Sequence, residues 1–149
     1  MADLSVVIVT FNALPWIERS LESVRGHETI VVDHGSTDGT LELVRARYPD
    51  VRIVEQENKG MGGGNNAGMR AANGRYFFLL NSDAWVVDDG LDRLLAYADA
   101  HPEAAVVGPQ LRRRRHGARG SGGSPMPDAT EPPKTRRRTA ARIALEVAK

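Results

Sequence analysis

The sequence contains no cysteine, which excludes a disulfide framework, a thiolate zinc site and a cysteine nucleophile. It also lacks a long apolar run. The N-terminus begins Met1-Ala2-Asp3-Leu4 without a basic segment, and the apolar run from Val6 to Val9 is far shorter than the ~20 residues that span a bilayer. The sequence therefore predicts a protein of a reducing compartment, without a signal peptide or a transmembrane segment.

Charge is divided unevenly along the chain, although the formal net charge of all 149 residues is only +1. Residues 1–111 contain nine Lys and Arg against sixteen Asp and Glu, a net charge of −7. Residues 112–149 contain eleven against three, a net charge of +8. This contrast predicts two unlike pieces, a globular domain over residues 1–111 and a basic tail over residues 112–149.

The tail has little from which to build a core. Arginine clusters occur at Arg112 to Arg115 and at Arg136 to Arg138, and Gly117 to Pro133 is rich in Gly, Ser and Pro. Because this composition buries too little apolar surface to order itself, we expect disorder, with a weak terminal helix over Thr139 to Val147 as the exception. Pattern and charge change at one point, and we hypothesise that the tail is an out-of-frame or truncated end.

Strand-like and helix-like patterns alternate through the first 111 residues. This order implies right-handed crossovers and an α/β domain, Rossmann-like, with a mainly parallel sheet flanked by helices. Glu55 to Gly64 is predicted to be a glycine-rich loop. Strands are predicted over residues 4–10, 29–33, 51–54, 75–83 and 104–107, with a brief extended segment at 85–87, and helices over about 15–25, 38–48, 65–72 and 89–100.

The domain is organised around Arg75 to Asp83, an aromatic and aliphatic run that stops on Asn81-Ser82-Asp83. The run predicts a buried central strand. Such a strand would deliver Asp83 to the carboxyl edge of a parallel sheet, where open α/β folds place their ligands.

Polar residues follow four of the predicted strands, and the topology brings them to this same edge. Each alone is more often a cap or turn residue than a ligand contact. Their convergence favours a ligand site, because capping does not require four polar loops on one edge. The residues are Thr10 and Asn12, Asp33, Asn58 and Lys59, and Asp83.

A nucleoside diphosphate has the chemistry that such an edge could bind. Asp33 can accept from the ring N–H of uracil or thymine, and Phe11 can supply a stacking surface. Asp83 is a suitable oxygen ligand for Mg²⁺ or Mn²⁺ beside the phosphates. The glycines of residues 60–64 allow close approach to a sugar-phosphate at the start of the next helix, although a flexible loop without a ligand explains them nearly as well.

Four motifs occur in order, over Val6 to Asn12, Ile30 to Thr40, Glu57 to Gly68 and Leu79 to Asp83. In order and spacing they resemble the motifs of family 2 glycosyltransferases, especially the rhamnosyltransferase-like branch. The resemblance covers Leu4 to about Leu111. It implies the nucleotide-binding half of a GT-A fold, incomplete at its C-terminus.

The resemblance also implies roles for individual residues. Asp33 matches the carboxylate that binds the base, and Asp83 matches the last acidic position of a DxD-like metal motif, implying a divalent Mg or Mn cofactor. The first position of that motif is Asn81, and His34 stands where Asn or Asp is more usual. The expected nucleotide-sugar-binding set is Thr10, Phe11, Asn12, Asp33, Ser36, Asn58, Lys59, Gly60, Asn65 and Asn81.

The implied reaction is inverting transfer of a sugar such as rhamnose from a dTDP- or UDP-sugar donor to a glycan or lipid-linked acceptor of the cell envelope. The implied location is the cytoplasm, or its periphery at the inner membrane face. Similar enzymes carry an acidic catalytic base in a further, acceptor-binding half. The tail offers only Asp128, Glu131 and Glu146, in no such context. We therefore expect a truncated chain with little or no transfer activity of its own.

Two other functions stay open. A nucleotide-binding regulatory or partner subunit would use the same pocket without catalysis. The arginine clusters could instead bind nucleic acid or an anionic membrane. Runs of charge are usually just solvated, and no aromatic residue follows Tyr97, so we expect no nucleic-acid partner.

Overall fold

Strands and helices alternate along the chain. The structure, a computed structural model, describes residues 3–113 and 144–147. The longest helix in these ranges has 12 residues, and none of the helices there is long and apolar enough to cross a bilayer. The elements are β1 (Leu4–Thr10), α1 (Leu14–Glu22), β2 (Glu28–Asp33), α2 (Thr40–Arg47), β3 (Arg52–Glu55), α3 (Gly60–Ala71), β4 (Tyr76–Asn81), β5 (Ala84–Val86), α4 (Gly90–Ala100), β6 (Gln110–Arg113) and β7 (Ala144–Val147).

Four parallel strands form the main sheet, in the order β3-β2-β1-β4. Every residue of β1 is buried, as its β-branched run predicts for a strand covered on both faces. Helices α1, α2 and α4 contribute to the core on one face of the sheet, and α3 packs on the other. The predicted α/β fold, a mainly parallel sheet flanked by helices, is therefore confirmed.

Strand β4 lies at an edge of the main sheet within the described residues, so its predicted central position is wrong. Phe78 and Leu80 are buried, but Phe77 is 45% and Leu79 is 47% exposed. Leu79 pairs with Val7 and so lies on the face where α3 covers β1 and β2. A groove of about 470 Å³ runs along β4, and it is lined by Phe77 and Leu79 and by residues of α4. The apolar run predicts the strand, but it does not show which face a helix covers.

A smaller sheet has the order β5-β7-β6, with β5 antiparallel and β6 parallel to β7. The prediction of a strand over residues 104–107 is wrong, because β6 begins only at Gln110. Val106 is 89% exposed. A strand is stabilised by pairing with a neighbouring strand and by packing of its side chains. An apolar segment that no other element covers therefore has little tendency to form one.

The structure also corrects the predicted tail. Strand β6 continues to Arg113, past the boundary expected at Leu111. Ala144–Val147 is strand β7 and not part of a terminal helix, because it pairs with both β5 and β6. Leu145 and Val147 alternate with polar or small residues, a spacing of two that suits a strand. The remaining tail residues, 114–143 and 148–149, lie outside the described residues.

Helix α3 begins at Gly60, so the predicted start at Asn65 is wrong. Gly62, Gly63 and Gly64 therefore lie in the first turns of a helix and not in a loop. Glycine is about 1 kcal/mol less favourable than alanine inside a helix, and this low propensity predicts a loop. Packing against the sheet overrides it.

Two glycines of α3 allow the helix to lie close to the sheet, as the small residues on one side of the predicted helix indicate. A Cβ atom built on Gly64 would lie 2.7 Å from Cγ1 of Val9. A Cβ atom built on Gly68 would lie 2.2 Å from Cγ1 of Val7. Any side chain at these positions would force the helix and the sheet apart.

We expect Gly68→Ala to lower the free energy of unfolding by about 1–3 kcal/mol, because the added methyl group overpacks the contact between α3 and β1. Urea unfolding followed by circular dichroism measures the change. Gly62→Ala is the matched control. It lies in the same helix, and outside the helix's own backbone nothing lies within 4 Å of an added Cβ. This variant should be neutral or stabilising by up to about 1 kcal/mol. Equal stability of the two variants would contradict the close approach.

Candidate functional site

Four loops meet at the carboxyl edge of the main sheet, because all its strands run in the same direction. They cover residues 11–13 after β1, 34–39 after β2, 56–59 after β3 and 82–83 after β4. The predicted site residues lie in these loops or in the elements next to them. The structure therefore places them at one edge of the sheet.

The loops after β1 and β2 are hydrogen bonded to each other. The backbone N–H of Asn12 donates to Ser36 Oγ at 2.9 Å, and Asn12 Oδ1 accepts from the N–H of Thr37 at 2.8 Å. Asn12 has a φ of 51°, a left-handed conformation that Asn adopts more readily than most residues. Asn12 and Ser36, both predicted site residues, are thus partners of each other.

Helix α1 has no side-chain cap from its own N-cap residue. Side chains at the end of the loop after β2 and at the start of α2 accept hydrogen bonds from its first amides instead. The N–H of Ala13 donates to Thr40 Oγ1 and that of Leu14 to Asp38 Oδ2, both at 3.0 Å. These acceptors satisfy amides that the first turn of a helix leaves unpaired. We call the hydrogen bonds between residues 12–14 and 36–40 the loop lock.

Thr40 and Asp38 are also bonded within the loop lock. The buried hydroxyl of Thr40 donates to Asp38 Oδ1 at 2.5 Å. This hydrogen bond is the main cause that holds the pKa of Asp38 below its ordinary value, and the amides of Leu14 and Thr40 add to it. Neither residue was expected to join two loops. Their partners lie about 25 residues away in sequence, and local spacing does not reveal such pairs.

Asp33 is buried and committed to its own loop. Its Oδ2 accepts from the N–H groups of Gly35 at 2.9 Å and Ser36 at 2.8 Å, and its Oδ1 accepts from the Ser36 hydroxyl. The residue is 1% exposed. It shapes the loop that follows β2, and this conformation leaves little of its surface for direct contact with a base.

Thr10 and Phe11 lie at the end of β1 with opposite exposure. Thr10 is 1% exposed, and its hydroxyl has no hydrogen-bond partner among the residues that the structure describes. Phe11 is 55% exposed. An exposed aromatic ring at this position offers a flat surface on which a base could stack.

The predicted residues after β3 surround the start of α3. Asn58 Oδ1 accepts from the N–H of Gly60 at 2.9 Å, and Gly60 has a positive φ of 72°. Lys59 precedes the first residue of the helix and is exposed. Its ammonium group makes no hydrogen bond or ion pair within residues 3–113. Asn65 lies one turn further along α3 and is half-buried.

Asp83 lies in the short turn between β4 and β5, next to the exposed Asn81 that ends β4. It is half-buried, and its carboxylate makes no hydrogen bond or ion pair to other described residues. These residues contain no group of three His, Asp or Glu that could hold a metal by themselves. Mg²⁺ is usually bound by one or two carboxylates together with substrate phosphates and waters. A single free carboxylate therefore fits a metal that binds with a diphosphate.

The family model described as "Glycosyl transferase family 2" matches residues 5–146 of this sequence. The chain belongs to this family. The match runs past Leu111, the limit expected from the motifs, and it confirms the predicted family.

Several family members and solved structures are similar to this family 2 chain. The "Succinoglycan biosynthesis protein ExoO" of Rhizobium meliloti is 40% identical over 106 residues, which are 66% of this chain and 30% of that protein. The crystal structure of S. aureus TarS 1-349 in complex with UDP matches with a TM-score of 0.67 and 25% identity, over 82% of this chain and 38% of that one.

A mannosyltransferase from Pyrobaculum calidifontis, PcManGT, in complex with GDP-Man and Mn²⁺ matches with a TM-score of 0.63 and 27% identity, over 76% of this chain and 36% of that one. These likenesses confirm the predicted GT-A fold. The chain spans about a third of the length of each of these three proteins.

We expect Thr40→Val to lower the free energy of unfolding by about 1–3 kcal/mol, because the buried N–H of Ala13 would lose its acceptor. Hydrogen exchange at the Ala13 amide, measured by NMR, should become faster as well. Thr37→Val is the matched control, since Thr37 is exposed and joins the loop lock through its backbone N–H. Unchanged stability and exchange in Thr40→Val would show that the loop lock does not hold α1.

Proposed function

We propose that this chain binds a UDP- or dTDP-sugar at the carboxyl edge of its main sheet and supplies the donor side of sugar transfer to a glycan or lipid-linked acceptor. The observation that carries the proposal is the free carboxylate of Asp83 at the same sheet edge as the exposed ring of Phe11. Two similar structures support it, since one contains UDP and the other contains GDP-Man and Mn²⁺.

The base would lie on Phe11. The backbone on both sides of this ring is fixed, because the C=O of Thr10 accepts from the N–H of His34 at 3.0 Å and Asn12 belongs to the loop lock. Asp33 contributes by holding Gly35 and Ser36 in the neighbouring loop. A residue whose backbone is already fixed loses little backbone freedom when a base stacks on its ring.

The diphosphate would lie between Lys59 and Asp83. The ammonium of Lys59 and the positive end of the α3 dipole both favour an anion. Asp83 would hold a divalent Mg or Mn ion together with the phosphate oxygens. When bound, such an ion stabilises the negative charge that develops on the diphosphate as the sugar leaves.

The proposed transfer is a single displacement with inversion. The acceptor hydroxyl oxygen forms a bond to the anomeric carbon while the bond from that carbon to the diphosphate oxygen breaks. The hydroxyl proton passes to a general base. None of the described residues is proposed as this base, and our proposal for them covers the donor side of the reaction alone.

We expect Asp83→Asn to weaken UDP binding in the presence of Mn²⁺ by about tenfold or more, because the amide is a poorer metal ligand than the carboxylate. UDP binding in EDTA should not weaken, because without a metal the Asp83 carboxylate can only repel the diphosphate. Isothermal titration calorimetry with and without Mn²⁺ measures both affinities.

Asp50→Asn is the control for Asp83→Asn. It makes the same change of charge in an exposed turn before β3, at the opposite edge of the sheet. It should retain the Mn²⁺ dependence of the unchanged protein. If Asp83→Asn also retained it, the metal would not be bound at Asp83.

We expect Phe11→Ala to weaken metal-free binding of uridine and UDP by about 1–3 kcal/mol, the usual contribution of stacking one base on an aromatic side chain. Calorimetry in EDTA isolates this effect from the metal. Phe77→Ala removes a similarly exposed ring from β4 and should bind like the unchanged protein. Equal affinities of the two variants would exclude stacking on Phe11.

A further inference from the structure

A buried serine in the middle of α1 contacts the turn that carries Asp83. Ser20 is fully buried, and its hydroxyl oxygen lies 2.6 Å from the backbone oxygen of Ala84 and 2.9 Å from that of Ser82. These two carbonyl groups belong to the residues directly before and after Asp83. The carbonyl of Trp16 in its own helix is farther away, at 3.5 Å. The single hydroxyl proton is therefore directed across to the turn.

The helix does not need a serine at this position. Serine is a weaker helix former than alanine, and its hydroxyl is costly to bury without a partner. Ser20 offsets this cost mainly by sharing its one proton between the two carbonyl groups of the turn. This shared hydrogen bond ties α1 to the turn.

Helix α1 is a fixed support for this contact. Ile17 and Leu21 lie in the core on either side of Ser20, and the loop lock holds the start of the helix. The guanidinium of Arg19 lies 3.6 Å from the centroid of the Trp85 ring in β5, close enough for a cation–π contact. The position of α1 relative to the turn is thus set at several points.

We propose that Ser20 is a positioning residue that orients the carboxylate of Asp83 toward a divalent metal. The peptide groups that carry the two carbonyls precede and follow Asp83, so Ser20 restrains the backbone on both sides of that residue. A metal ligand held in place in advance binds more tightly than one that must be ordered on binding. This inference rests on the proposed metal contact of Asp83.

Ser23, the residue directly after α1, provides a matched control. Its hydroxyl oxygen accepts from the N–H of Val86 at 3.0 Å and donates to the C=O of Ser20 at 2.7 Å. It therefore also joins α1 to β5, but three residues beyond Asp83. Ser23→Ala also removes a serine hydroxyl that contacts β5, and it leaves the two carbonyl groups on either side of Asp83 in contact with the Ser20 hydroxyl.

The test compares Ser20→Ala and Ser23→Ala in the full chain. Thermal unfolding, UDP affinity in EDTA and Mn²⁺ affinity at saturating UDP are measured for each. We expect Ser20→Ala to weaken Mn²⁺ affinity by about tenfold, as loss of a group supporting a metal ligand typically does, with metal-free UDP affinity unchanged. Ser23→Ala should lower the melting temperature without changing Mn²⁺ affinity. Ser20→Cys keeps a weak donor on a slightly larger side chain, should give an intermediate Mn²⁺ affinity, and replaces Ser20→Ala if that variant does not fold.

Three results would overturn the inference. Unchanged Mn²⁺ affinity in Ser20→Ala, with a loss in Asp83→Asn, excludes the positioning role and leaves the proposed function standing. Equal losses in Ser20→Ala and Ser23→Ala show that the effect comes from general loosening of α1. Unchanged Mn²⁺ affinity in Asp83→Asn excludes the metal contact, and the role of Ser20 with it.

Discussion

The parallel pairing of β1 with β2 and β4 is the constraint on which the site depends. It brings the loops after these strands to one edge, where the first amides of α1 have no partner in the sheet or in their own helix. Asp38 and Thr40 provide the missing acceptors. The loop after β2 must therefore pack against the loop after β1, and this packing also shapes the surface around Phe11.

The close packing of α3 explains an unusual residue in the second loop. His34 is a large polar residue, yet it is only 7% exposed. A Cβ atom on Gly64 would lie 2.9 Å from its Nε2, so the ring fits only because position 64 has no side chain. The ring nitrogen is also 3.0 Å from Nε2 of Gln56. The glycines after β3 thus accommodate both the sheet and this ring.

Much of the fold could be predicted from the sequence, because β1 and β2 are β-branched runs whose burial on both faces leaves a clear pattern. The edge position of β4 could not, since Phe77 and Leu79 are as apolar as residues that a helix covers. The start of α3 at Gly60 depends on packing that opposes local propensity. For the site, Phe11 is exposed and Asp83 is half-buried with a carboxylate that has no partner among the described residues, and their binding roles stay predictions. The hydrogen bonds of Ser20 and Thr40 join distant segments, and no local pattern predicts them.

The hydrogen bonds at the carboxyl edge distinguish two kinds of polar residue within the sequence motifs. Asp33, Asp38 and Thr40 satisfy backbone and side-chain groups of the chain itself, whereas Lys59 and Asp83 make no hydrogen bond or ion pair to other described residues. Under the proposed function, a descendant that no longer bound a nucleotide-sugar would remain under selection to keep the first three in order to fold, but it would be free to change the other two. Retention of the DHGSTDGT string would then identify a chain that folds, and Lys59 and Asp83 would be the positions at which loss of the proposed binding first becomes visible during evolution.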